Sequence, residues 1–105
     1  MQRGEIWWAD FEPPAGKRPV LLLSRNESYA VRDYVIVALV TTRIRYSPSE
    51  VTLNTADGMP RECVVNIDTM TTIAKARLQE RQTVLGPGKM KDVSAAIHFA
   101  IGLDD

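Results

Sequence analysis

Tyr34-Val35-Ile36-Val37-Ala38-Leu39-Val40-Thr41-Thr42 reads as the strongest strand in the chain. It is β-branched and apolar on both alternating faces, and a strand with one wet face would alternate with polar residues. Two apolar faces predict a central strand, covered on both sides. Val35-Val37-Leu39 and Ile36-Ala38-Val40 are equally apolar, so composition does not choose between the side to which Thr41 points and the side to which Thr42 points. The run ends in hydroxyls and cations: Thr41, Thr42, Arg43 and Arg45.

On the N-terminal side, residues 4–11, Gly-Glu-Ile-Trp-Trp-Ala-Asp-Phe, read as an aromatic opening strand. Ile6 and Trp8 share one face, while Trp7, Ala9 and Phe11 share the other, so this strand also has two faces to bury. Trp7 is a candidate for a dimer or ligand contact, with plain core packing as the alternative. The loop Glu12-Pro13-Pro14-Ala15-Gly16-Lys17 then feeds into Arg18-Pro19-Val20-Leu21-Leu22-Leu23, a short apolar strand. Proline lacks an N–H and drives the residue before it into extended geometry, so Arg18 holds its guanidinium at the mouth of a buried strand beside a second cation, Lys17. A cation on a rigid scaffold suits a phosphate, and an ordinary surface arginine is the competing reading.

Beyond the central run, residues 50–54 alternate weakly and Asp57-Gly58-Met59-Pro60 is a turn signal. Residues 63–67 and 69–74 read as two short strands or one bent one. Residues 75–81 have helical character, and 83–85 return to strand preference. Gly86-Pro87-Gly88 is a stop. After it, Met90, Val93, Ile97 and Ile101, widened by Ala96 and Ala100, recur at helical spacing and predict an amphipathic helix from about Lys89 to Leu103. Short strands, turn signals and one closing helix predict a mainly β domain over residues 1–105, a small, strongly curved sheet or barrel.

Composition narrows the function classes. The 13 basic and 13 acidic residues cancel, and they divide evenly between the halves of the chain, so an anion site has to come from local clustering. One cysteine, Cys63, excludes an internal disulfide framework and a multi-thiolate zinc cage, and its apolar neighbours Val64 and Val65 predict a small core residue. The single histidine, His98, falls on the flank of the terminal helix, which excludes a two-histidine nuclease, an HExxH metal site and a Ser-His-Asp triad. No Walker-type loop is present, and the carboxylates are scattered. No run approaches transmembrane length and the N-terminus lacks a signal-peptide pattern, so a cytoplasmic location is the expectation. What remains is basic and hydroxylic: Lys17 and Arg18 at one strand mouth, Thr41, Thr42, Arg43 and Arg45 at the end of another. Brought to one rim, they would make a guanidinium-plus-hydroxyl site for a phosphodiester.

The chain resembles the MazF/PemK family of toxin endoribonucleases. Arg3-Gly4-Glu5-Ile6-Trp7-Trp8-Ala9-Asp10-Phe11 with Pro13 is similar to the family's opening strand, and Gly16-Lys17-Arg18-Pro19-Val20-Leu21 to its G-x-R-P-V-L segment. Val40-Thr41-Thr42 sits at its strand-terminal threonine. Val64-Val65-Asn66-Ile67-Asp68, followed by Thr72-Ile73 and Lys75, is similar to its later strands. The resemblance implies an SH3-like barrel with a C-terminal helix, a homodimer, no cofactor, metal-independent cleavage of single-stranded RNA, and neutralisation by a cognate antitoxin. It places the catalytic arginine on Arg18 and the catalytic threonine on Thr41, with Lys17, Thr42, Arg43, Arg45 and Trp7 as RNA-binding candidates. One departure stands out: many members carry a longer loop containing Ser-Glu-Gln before the arginine, and here Glu12 is the candidate for its acidic residue. A gyrase-binding barrel of the CcdB type and an inactive RNA-binding barrel are the alternative readings. The CcdB type acts through a C-terminal segment containing tryptophan, which Ala100-Ile101-Gly102-Leu103-Asp104-Asp105 lacks.

Overall fold

A computed structural model describes residues 1–103. Its strands are β1 (Glu5–Asp10), β2 (Lys17–Leu22), β3 (Tyr34–Thr41), β4 (Glu50–Leu53), β5 (Cys63–Ala74) and β6 (Leu78–Val84), with helices α1 (Ser28–Val31) and α2 (Pro87–Ala100). Every strand pairing is antiparallel, and the six strands form one sheet in the order β4-β5-β3-β2-β1-β6. The domain is therefore mainly β with a closing helix, and β3 lies inside the sheet as its two apolar faces require.

Each face of the sheet has its own core. Ile6, Leu21, Ala38, Val40, Val65 and Ile67 pack on one side, where Val93 and Ala96 of α2 close the cluster. Ala9, Val20, Leu22, Val35, Val37 and Ile73 pack on the other, with Trp7, Phe11 and Leu39 against them. On the second apolar face of β1, Ala9 is thus buried within the chain itself and Trp7 and Phe11 are half-buried beside it.

β5 is one strand and it bends. Val37 lies opposite Thr71 but Leu39 lies opposite Asn66, so five steps along β5 answer two along β3. The surplus residues break the ladder, and Thr69 repairs it: its Oγ1 accepts the Leu39 N–H at 3.0 Å and donates to the Asn66 carbonyl at 2.6 Å. The bulge lets Cys63, Val65 and Ile67 serve one core while Ile73 serves the other.

Three elements differ from the sequence expectation. Residues 75–81 do not form a helix: only Lys75–Arg77 makes a 3-10 turn, and Leu78 onward pairs with β1, from Ala9 opposite Leu78 to Glu5 opposite Val84. A paired edge position and a buried Leu78 outweigh the propensity of Gln79, Glu80 and Arg81. The polar segment before β3 holds the short helix α1, anchored by Tyr29, whose hydroxyl donates to the Ser24 carbonyl at 3.0 Å. Burial pushes that phenol up to about 12. Helix α2 starts at Pro87, which suits a first turn that has no use for its N–H, and stops at Ala100 before Gly102, whose φ of +73° ends it. Ile101 consequently falls outside the buried stripe and is exposed. Of the expected C-terminal segment, residues 104 and 105 lie outside the described residues.

β6 also fastens the turn between β4 and β5. Thr83 Oγ1 donates to the Asp57 carbonyl and Gln82 Nε2 to the Gly58 carbonyl, each at 3.0 Å. Gly58 has a φ of +89°, and a Cβ there would lie 2.2 Å from Thr83 Oγ1. Gly58→Ala is therefore expected to destabilise the fold by about 2–3 kcal/mol, from left-handed strain plus the clash. Urea unfolding measures it as a lowered midpoint. An unchanged midpoint would mean that this turn does not close on β6.

Candidate active site

β2 and β3 pair from Val20–Leu39 to Leu22–Val37, and their ladder stops where Pro19, with no N–H to give, takes its place in β2. Continued by two residues, that register sets Arg18 opposite Thr41. The two strand ends part at this point and two recesses open. One, of about 500 Å³, is lined by Trp8, Lys17, Arg18, Thr41 and Thr42, with the segment Met59-Pro60-Arg61 forming another wall. The other, of about 120 Å³, is lined by Arg18, Thr41, Arg43, Arg45, Asn66 and Thr69. Arg18 and Thr41 belong to both, so they form the rim between the recesses.

Thr41 and Thr42 are separated by this arrangement. Thr41 shares strand parity with Val35, Val37 and Leu39 and borders both recesses, whereas Thr42 borders the larger alone. Thr41 Oγ1 accepts the Arg43 N–H at 3.2 Å, which orients the oxygen and leaves its own O–H proton to donate outward. The loop carrying Arg43 and Arg45 is held from below by Glu50, whose Oε1 accepts the Arg45 N–H at 3.0 Å.

The cations here are not consumed by the fold. Among the described residues the ion pairs are Arg77–Glu12, Arg81–Glu5 and Lys89–Asp57, and none involves Lys17, Arg18, Arg43, Arg45 or Arg61. Zero net charge therefore coexists with a local concentration of positive charge around one rim.

Trp7 lies elsewhere. It borders neither recess, packs against the core on the opposite face of β1 from Trp8, and donates its indole N–H to Glu5 Oε1 at 2.8 Å. Burial raises the affinity of the Glu5 carboxyl for a proton. The Trp7 and Gln2 donors and the Arg81 charge outweigh that and hold it below the ordinary glutamate value. Trp8, one residue on, is the tryptophan at the recess, and alternation along β1 was the signal that separated the two. Arg61, Asn66 and Thr69 are further site residues beyond the sequence reading. Arg61 follows the turn signal Asp57-Gly58-Met59-Pro60 and had no reading of its own, and the other two reach the site through a bulge that periodicity does not show. Glu12 borders neither recess and lies 3.9 Å from Arg77 on the surface. Cys63 is a buried core residue that also contributes to the lining of the larger recess, its thiol pushed up by burial and by the charges of Asp57 and Glu62. His98 is exposed in the last turn of α2.

Residues 2–101 match the family described as PemK-like, MazF-like toxin of type II toxin-antitoxin system. The chain belongs to the PemK/MazF toxin family. This PemK/MazF toxin is 35% identical over 100 residues to the probable endoribonuclease MazF5 of Mycobacterium tuberculosis, spanning 94% of this chain and 91% of that one. The solved M. tuberculosis toxin MazF-mt6 superposes with a TM-score of 0.86 at 28% identity, covering 93% of this chain and 96% of that one. A mycobacterial endoribonuclease in complex with its cognate antitoxin superposes with a TM-score of 0.87 at 25% identity, covering 98% and 96%. The mainly β fold with a C-terminal helix expected from the sequence is shared with these solved structures.

Proposed function

We propose that this toxin cleaves single-stranded RNA without a metal, by attack of the substrate's own 2′-hydroxyl on the adjacent phosphorus. The O2′–P bond forms as the P–O5′ bond breaks, leaving a 2′,3′-cyclic phosphate and a free 5′-hydroxyl. The observation that carries this reading is the shared rim: a strand running from one recess to the other passes a phosphodiester over Arg18 and Thr41. Because RNA supplies the nucleophile, the protein has to orient the strand, neutralise the phosphorane and move protons. Arg18 can fork onto two non-bridging oxygens, and Thr41 can donate to the same centre. A guanidinium holds its proton too tightly to serve as general base, so Arg18 is assigned charge stabilisation. Lys17, Thr42, Arg43 and Arg45 bind the flanking backbone.

The test is incubation of purified protein with a long RNA in EDTA, followed by mapping of cut ends. Cuts bearing cyclic phosphate and 5′-hydroxyl termini are expected; intact RNA would overturn the reading. Binding should rest on three or four phosphate contacts, giving a log–log salt slope of about −2 to −3 for a single strand. A slope near zero in anisotropy titrations would mean that phosphates do not drive association.

The toxin works, on this reading, in the cytoplasm as a homodimer checked by an antitoxin. Val31 and Tyr34 leave apolar surface in water that a second copy can cover. An acidic antitoxin segment competes with RNA for the rim cations, as the unpaired charges of Arg18, Arg43 and Arg45 favour.

A further inference from the structure

Phosphate chemistry accounts for the rim and the cations but not for the wall of the larger recess. Trp8 lines that wall, and its only polar atom is already satisfied: Nε1 donates to Gln82 Oε1 at 2.9 Å. Gln82 Nε2 donates in turn to the Gly58 carbonyl at 3.0 Å, so a single side chain of β6 fastens both the indole and the turn that carries Met59, Pro60 and Arg61 into the recess. A fixed indole with its N–H spent offers ring surface alone. Pro19, Val40, Met59 and Pro60 add apolar lining, while Lys17 and Arg61 put charge at the edge. Apolar walls with a cationic border fit a flat base on a phosphate-bearing sugar. The smaller recess, at about 120 Å³, has no aromatic residue in its lining.

We propose that the larger recess holds a base next to the scissile phosphate, that this base stacks on Trp8, and that Gln82 is the positioning residue which fixes the indole. The proposal rests on the reading of Arg18 and Thr41 as the phosphate site. Base–aromatic stacking tolerates any base identity and changes affinity by about five- to a hundredfold per base, so Trp8 would set where the strand sits rather than which base it carries.

The test is single-turnover cleavage of a short RNA with one cut site, intact or with an abasic nucleotide on either side of the scissile phosphate. With the wild-type protein, one of the two abasic substitutions is expected to lower kcat/KM about tenfold or more. Trp8→Ala should lose a similar factor on intact RNA and less than about twofold more on that abasic RNA, the non-additivity of two partners in one contact. Trp8→Phe should recover most of the loss. Gln82→Ala should raise KM about threefold beside Trp8 and by a smaller factor in the Trp8→Phe background, where no indole N–H is present to be held and only the contact to the Gly58 carbonyl is lost. Should Trp8→Ala fail to fold, Trp8 emission in a Trp7→Phe protein gives the same answer. It is expected to be quenched by an uncleavable 2′-deoxy-substituted RNA and not by its abasic counterpart. An abasic penalty that is absent from the wild type, or equal in wild type and Trp8→Ala, overturns the stacking site while leaving the nuclease reading standing, as does unchanged Trp8 emission on binding. RNA that is neither cut nor bound overturns both.

Discussion

Arg18→Ala is expected to leave no detectable cleavage in a protein that remains folded. Arg18 is half-buried on the rim that both recesses share, and among the described residues it enters no ion pair and no side-chain hydrogen bond. Its removal therefore subtracts little from the fold. It subtracts a great deal from a phosphorane on that rim, since Arg18 is the arginine that borders both recesses while Arg61, Arg43 and Arg45 each border one. Losing one neutral transition-state donor costs about 10²–10³ in rate, and a charged, bidentate one costs more. Arg18→Lys should recover a fraction of the rate, because the ammonium restores charge without the fork. The measurement is single-turnover cleavage beside a thermal melt of each variant. Cleavage by Arg18→Ala at the wild-type rate would remove Arg18 from the chemistry.

The same residue shows how far a sequence can be read here. Arg18-Pro19 announces an extended, proline-limited strand mouth through local rules alone, and the apolar run from Tyr34 announces a doubly covered strand for the same reason. Both elements depend on the residues that compose them. β6 does not: its first half favours helix, and only the edge of β1 makes it a strand, so the deciding partners lie 69 (Ala9–Leu78) to 79 (Glu5–Val84) positions away in the chain. The site divides along the same line. Arg18, Lys17 and Thr41 stand at strand ends that periodicity locates. Trp8 and Trp7 sit on opposite faces that periodicity separates, yet only the assembled sheet shows which face meets the recess. Asn66 and Thr69 arrive through a bulge that Thr69 itself stabilises, a hydrogen-bond exchange between β3 and β5 with no signature in either strand alone.

The choice between Thr41 and Thr42 is where sheet geometry makes its sharpest claim. Thr41→Ala is expected to lower the cleavage rate by about 10² or more, and Thr42→Ala to have a milder effect. β3 ends at Thr41 and Thr42 lies in the bend beyond it, so the two differ by their place against the recesses that Arg18 joins. Thr41 borders both recesses with Arg18, and the Arg43 N–H occupies its oxygen as acceptor, leaving its proton to donate to a non-bridging oxygen. Thr42 borders the larger recess only and is exposed, a position suited to holding backbone beyond the cut. Thr41→Ala also removes the Arg43 contact, so a lower rate alone does not separate chemistry from loop placement. Two further variants test the hydroxyl, and RNA binding, which rests in part on Arg43 and Arg45, reports the loop. Thr41→Ser keeps the hydroxyl and should recover most of the rate. Thr41→Val keeps the shape without the hydroxyl and should match Thr41→Ala. Binding of an uncleavable RNA should change by less than about threefold across the series, because the donor acts on charge that develops only in the transition state. If Thr42→Ala is the inactive variant, or if Thr41→Val cuts as fast as the wild type, the hydroxyl at the rim is not the donor.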